Sequence, residues 1–361
     1  MKNAIRIGAV VTASALALAA CSSAPEETPT SSAPAPSASS AMSESPAAAV
    51  DYKACMVSDA GGFDDKSFNQ SGYEGLKQAE ADLGIQIAEA ESKDGNDYEG
   101  NINAMVADGC DMIITVGFLL ADATAAAATA NPDINFAIVD TMIDPALPNV
   151  KPIVFETDQA AFLAGYAAAG TSETGTIGTF GGINIPSVSI FMDGLLAGAN
   201  YFNSETGGDV KVLGWDGKSG SFTESFDDVT KGQTLAQGLL EQGADIVMPV
   251  AGPVGEGAEV AIQDNGSGWF IGVDQDWTKT TPDYAGIILT SVIKNIGTAV
   301  FDVIKAAAVD GTFDAAPYEG TLENGGVGLA DLNPAVPADV SGAIEGIKAG
   351  IIDGSISVAV S

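Results

Sequence analysis

From residue 51 onward, short apolar runs alternate with segments of helical character, and this alternation constrains the fold more than any other feature. The strand candidates are 53–57, 86–90, 111–116, 135–139, 175–179, 210–213, 245–250, 268–273 and 287–290. Helical stretches fall between most of them, at 67–82, 98–108, 119–130, 188–202, 223–242, 256–264 and 295–309. Strand–helix–strand repetition predicts parallel sheets covered by helices on both faces. The strands come in two sets, with a break near Phe155–Glu156 and a second expected crossing around Trp277–Tyr284, where Thr-Pro-Asp interrupts the pattern. A length of 361 residues fits two lobes at about 150 residues each. The expected division is 51–156 plus 280–312 for the first lobe and 157–279 plus 313–361 for the second. In such α/β sheets, ligands bind beyond the carboxyl ends of the strands.

Composition removes several function classes. There is no histidine, which excludes Ser-His-Asp and Cys-His catalysis and any His-ligated zinc or haem site. The 48 acidic and 14 basic residues give a net charge of −34, a field that repels phosphate backbones, so no nucleic-acid partner is expected. With 46% hydrophobic and 17% charged residues, the chain is neither a disordered tail nor a coiled coil.

Residues 1–20 read as a signal peptide, with Lys2 and Arg6 ahead of an apolar run too short for a permanent membrane span. The run ends Leu18-Ala19-Ala20-Cys21, which resembles a bacterial lipobox, so Cys21 is the expected lipid-bearing residue. Residues 21–50 are dominated by Ser, Pro, Ala and Glu and read as a tether. The expected location is the extracytoplasmic face of the cell membrane, reached through the N-terminal lipid. Cys55 and Cys110 remain. In an oxidising compartment they invite a disulfide, although two buried thiols are the alternative.

The strand ends carry the candidate site residues. Residues 58–75 follow the first strand; here Ser67 and Gln70 have capping-box spacing, so a helix should begin there with Phe68 and Asn69 in its first turn. Asp59, Asp64 and Asp65 lack the alternation of a calcium loop and read as a solvated turn. Asp140 and Asp274 follow buried strands, and Lys294 is one of few cations in the second half of the chain. Each has a plainer reading: Phe68 as a core aromatic, Asp140 as a turn cap, Lys294 as a solvated helix start. No nucleophile–base pair emerges, so the reading is of a binding protein and not an enzyme, with no cofactor. Acids, amides, an ammonium and phenyl rings around a crevice suit a small polar molecule with an aromatic part.

The stretch DAGGFDDKSFNQSGYEGLKQA resembles the opening motif of the basic-membrane-protein family of substrate-binding lipoproteins, which includes purine-nucleoside receptors of ABC transporters. Further similarities, in order, are TVGF at 115–118, FAIVD at 136–140, FLAGYAA at 162–168, GGINIP at 181–186, the glycines at 255–257, GVD at 272–274 and LTSVIK at 289–294. The resemblance implies a type I periplasmic-binding-protein fold, two doubly wound parallel-sheet lobes joined by a three-crossing hinge. It implies a purine nucleoside (adenosine, guanosine or inosine) held between Phe68 and Phe222, with Phe191 the less favoured second ring. It further implies base contacts from Asn69 and Asp140, ribose contacts from Asp274 and Lys294 with help from Asp59 and Gly252, ABC permease subunits as partners, and a monomer. Asp274-Gln275-Asp276-Trp277 departs from the family's Asp-Ser-Asp-Gln, a change at the flank of the ribose pocket. Another small polar solute, a sugar or autoinducer-like molecule taken up or signalled to a membrane sensor, is the alternative on the same fold. In this strand order the first and third strands are neighbours, which brings Cys55 and Cys110 to one sheet end, away from the ligand.

Overall fold

The computed structural model describes residues 50–360. The leader at 1–20, Cys21 and the tether to residue 49 lie outside the described residues. The first lobe opens with β1 (Lys53–Ser58), α1 (Phe68–Leu83), β2 (Gln86–Ala90), α2 (Tyr98–Ala107), β3 (Met112–Val116), α3 (Ala121–Ala130), β4 (Asn135–Val139) and β5 (Val150–Phe155). The second contains α4 (Thr157–Thr171), β6 (Thr176–Gly181), α5 (Pro186–Thr206), β7 (Lys211–Leu213), α6 (Val229–Glu241), β8 (Ile246–Val250), α7 (Glu256–Asn265), β9 (Trp269–Asp274), α8 (Trp277–Thr280) and β10 (Ile288–Lys294). Then follow α9 (Ile296–Ala308), β11 (Tyr318–Gly320), β12 (Val327–Leu329) and α10 (Ala338–Ile352).

Two six-stranded sheets result, in the orders β2-β1-β3-β4-β5-β11 and β7-β6-β8-β9-β10-β12. All the pairs are parallel except β10 with β12. Every residue of β3 and β8 is buried, as expected of strands covered on both faces. Strand order reverses at β1/β3 and at β6/β8, and ligands of doubly wound folds bind at such switch points. This is the expected fold class.

The chain passes between lobes at Phe155–Thr157, at Lys294–Ile296 and between β11 and β12. The second passage lies later than expected. Residues 281–283 interrupt the pattern because they end the short α8, not because the chain leaves the lobe. Strand β10 then pairs with β9, so its residues belong to the second sheet and not to the first lobe's 280–312 segment, while α9 packs on α1. There a Cβ on Gly75 would strike the Gly297 backbone, so the two helices touch main chain to main chain.

Six elements, α4, α8, α10, β5, β11 and β12, have no counterpart among the expected strands and helices, and two of them show why. In α4, Ala160 to Ala169 are buried without a break, so the helix has no polar face to give it a period. It lies against α5, where a Cβ on Gly165, Gly194 or Gly198 would meet the partner helix's backbone. Strand β5 is cut by Pro152 and carries Lys151, which disguises it. Cys55 and Cys110 form a disulfide with Cα atoms 6.0 Å apart, on the side of the first sheet away from the strand ends described next. Among the described residues no helix is long and apolar enough to cross a membrane.

Candidate functional site

The carboxyl ends of both sheets face one cleft. From the first lobe come Asp59 after β1, Phe68 and Asn69 at the start of α1, Gly117 and Phe118 after β3, and Asp140 after β4. From the second come Phe191 on α5, Phe226 in the loop before α6, Gly252 after β8, Asp274 closing β9 and Lys294 closing β10. Seven of the eight expected ligand-binding residues line this cleft: Asp59, Phe68, Asn69, Asp140, Gly252, Asp274 and Lys294.

Phe222 is the exception. Its ring packs edge-on against Trp215, with centroids 6.0 Å apart, and against the Cβ-less Gly181, outside the cleft lining. Four residues on, Phe226 lies over Gly182, where a Cβ would run into its ring, and reaches the cleft. The two glycines thus seat two phenylalanines, and only the second faces the cavity, together with Phe191. The predicted helix at 223–242 starts only at Val229, which frees 223–228 as the loop that carries Phe226.

The ammonium of Lys294 is the electrostatic centre. The residue is 2% exposed, and its Nζ donates to Asp140 Oδ2 at 2.6 Å and stands 3.7 Å from Asp274 Oδ1. It also lies 4.9 Å from the ring centre of Phe68 and 5.2 Å from that of Phe191, within cation–π range. Asp274 and Lys294 were expected from opposite lobes. They end neighbouring strands of one sheet, and Asp140 is the partner from across the cleft. Asp140 and Asp274 both take left-handed backbone, with φ 68° and 66°. That conformation costs a non-glycine residue energy, though Asp adopts it more readily than most, and here it turns each carboxylate inward at its strand end. Burial raises the Asp140 carboxyl above the usual range, opposed by the Lys294 ammonium.

Asp59 and Asn69 form the other polar wall. Asn69 Nδ2 donates to Asp59 Oδ1 at 2.8 Å and to Asp65 Oδ2 at 3.1 Å. That leaves Asn69 Oδ1 buried and without a partner on a residue that lines the cleft. Gly117 has no Cβ because Asp59 Oδ2 occupies that space. Burial, reinforced by Asp65, Asp140 and Asp274 and opposed by the Asn69 amide, pushes the Asp59 carboxyl up to about 8.

Asp65 is not the solvated turn residue its sequence context implied. It is 2% exposed, and its carboxylate accepts the backbone N–H groups of Ser67, Asn69 and Gln70. An Asp just ahead of a helix start is a recognisable Asx-type signal that the capping-box reading overlooked. Ser67 makes no capping bond, and Gln70 Oε1 accepts from Lys66 N instead. Gln275, the departure from the family pattern, lies outside the cleft lining, and Trp277 is fully buried with its indole N–H on the Val273 carbonyl.

Two doubly wound lobes around a cleft lined by acids, an amide, an ammonium and phenyl rings are the architecture of a solute-binding protein. The chain belongs to the Bmp family, described as ABC transporter substrate-binding protein PnrA-like, whose model matches residues 52–360. It is 34% identical over 99% of both chains to the ABC transporter nucleoside-binding protein BmpA of Lactococcus lactis subsp. cremoris. It is 35% identical to basic membrane protein A of Borreliella burgdorferi, over 69% of this chain and 70% of that one. In structure it resembles an ABC transporter solute-binding protein of Aeropyrum pernix K1, with TM-score 0.77 and 26% identity over 85% of this chain and 92% of that one. As a member of this family, the chain is a substrate-binding component of an extracytoplasmic ABC system and not an enzyme.

Proposed function

We propose that the cleft binds a purine nucleoside (adenosine, guanosine or inosine) and delivers it to an ABC permease. The observation that carries this reading is the combination of rings and polar groups in one cleft. Phe68, Phe191 and Phe226 line it, and its single ammonium, within cation–π range of Phe68 and Phe191, is already matched by Asp140 and Asp274. A flat base suits the rings, where stacking contributes on the order of 1–3 kcal/mol per base. The unpartnered Asn69 Oδ1 calls for an N–H donor, such as a base edge supplies. Ribose hydroxyls both donate and accept, so they suit the Asp274–Lys294 couple. A phosphate would bring further negative charge beside Asp140 and Asp274, so nucleotides are rejected. The nucleoside-binding relative at 34% identity supports the same solute class.

The lobes close on the ligand, as in hinged binding domains. Cys21 carries lipid, residues 21–50 act as the tether, and the domain works as a monomer; a Cys21→Ser chain released into the medium is the expected sign of the anchor. Mass spectrometry of solute released on denaturation, followed by calorimetry, tests the ligand. Inosine, guanosine or adenosine should bind, while ribose, glucose and inosine monophosphate should not. Ribose bound as tightly as inosine would overturn the reading.

A further inference from the structure

Ser67 occupies the N-cap position of α1 yet its side chain makes no bond to the helix, because Asp65 accepts the first-turn N–H groups in its place. Its hydroxyl instead crosses to the second lobe and donates to Asp274 Oδ2 at 2.7 Å. The residue after Asp274 completes the link: Gln275 Nε2 donates to the Ser67 carbonyl at 3.1 Å. One residue of the first lobe is thereby held by two consecutive side chains of the second. Lys66, just before it, has left-handed backbone (φ 56°) and pairs with Glu256 of the second lobe at 3.4 Å. A helix start needs no such strain. It is accounted for by a turn that aims Ser67 outward, with its capping duty passed to another residue.

We propose that residues 65–67 form a closure latch and that Ser67 is a positioning residue acting through Asp274. The two oxygens of that carboxylate have separate partners: Ser67 donates to Oδ2, and the Lys294 ammonium forms an ion pair 3.7 Å from Oδ1. The carboxylate is therefore locked against rotation while the lobes stay shut. Charge-assisted bonds of this kind are the stronger class, and this one spans the two lobes. Gln275 is polar at this position because its amide spans the lobes, not because it touches solute.

The role in solute retention rests on the nucleoside reading, so the test has two arms. In the first, stopped-flow binding of inosine is compared for the parent protein, Ser67→Ala and Gln275→Ala. Loss of a bond to a charged acceptor should speed dissociation roughly tenfold in Ser67→Ala, with association changed less than about twofold, and Gln275→Ala should move the same way by less. In the second arm, pulsed-EPR distances between labels at Glu99→Cys and Lys231→Cys, one exposed site per lobe, are recorded without solute. Ser67→Ala should shift the distribution toward longer separations. Melting separates the latch from a helix cap: Asp65→Ala should lower the melting temperature more than Ser67→Ala. If the parent does not bind inosine, the nucleoside reading fails and the distance arm decides the latch by itself. Parent-like distances in Ser67→Ala, or parent-like dissociation where inosine binds, overturn the latch.

Discussion

Replacing Lys294 by methionine is the most searching single perturbation of the site. It keeps the length and apolar stem of the side chain and deletes only the ammonium. At an effective dielectric of about 20, a unit charge pair at the 2.6 Å separation from Asp140 carries roughly 6 kcal/mol of gross attraction, and the 3.7 Å separation from Asp274 roughly 4. The cost of taking the ammonium out of water offsets much of this, but deleting it strands carboxylates that stay buried. Removing one member of a buried ionic pair costs about 3–5 kcal/mol. Urea unfolding at pH 8 should therefore show Lys294→Met destabilised by that amount.

The loss must also depend on pH in one direction. Asp140 already has a raised carboxyl pKa against the opposing ammonium, and without the ammonium its folded-state value rises further. A carboxyl raised in the folded state is neutral and harmless below its unfolded value near 4, and it weakens the fold as pH climbs through the folded value. The gap between parent and variant should thus narrow towards pH 5 and widen towards pH 8. A variant within 1 kcal/mol of the parent at pH 8, or a gap that widens in acid, would refute the claim that Lys294 balances these carboxylates.

In calorimetry with inosine, Phe226→Ala and Phe68→Ala should each weaken binding by about 1–3 kcal/mol, whereas Phe222→Ala should change it less, because that ring packs on Trp215 outside the cleft. Thiol labelling of denatured, unreduced exported protein should find neither Cys55 nor Cys110. Reduction should lower stability by about 4 kcal/mol in the chain-entropy model for a sequence separation of 55; two labelled thiols would refute the bridge. Asp59, held at about 8 by burial, keeps a proton in the folded chain that the unfolded chain gives up near 4. Between those values folding stability should fall as pH rises, and thermal melts of Asp59→Asn should show a shallower fall than the parent. Equal slopes would refute that protonation state.

The alternation of strands and helices was legible because most strands are short apolar runs, several closed by Gly or Asp; β2 and β4 match their expected spans residue for residue. The strand-end rule then located Asp140, Asp274 and Lys294 without any view of the fold. It could not tell which sheet β10 joins, since pairing with β9 is a long-range choice that its own residues do not announce. Nor could it choose between Phe222 and Phe226. Four residues apart in an irregular loop, they differ only in which of two adjacent glycines receives each ring. The helix α4 stayed hidden for the opposite reason, being apolar on every side. At Ser67 the local pattern pointed the wrong way because a cross-lobe contact outcompeted the cap.

Lys294 is the last residue before one of the chain's passages between lobes. When two bodies swing about a joint, material beside the joint sweeps a short arc and material far from it a long one. The ammonium is therefore a nearly stationary post, and its contact with Asp140 stretches little at small opening angles. Asp274, opposite Ile293 in the neighbouring strand, stands beside the same post, so these cleft-lining charges sit where the two bodies move least.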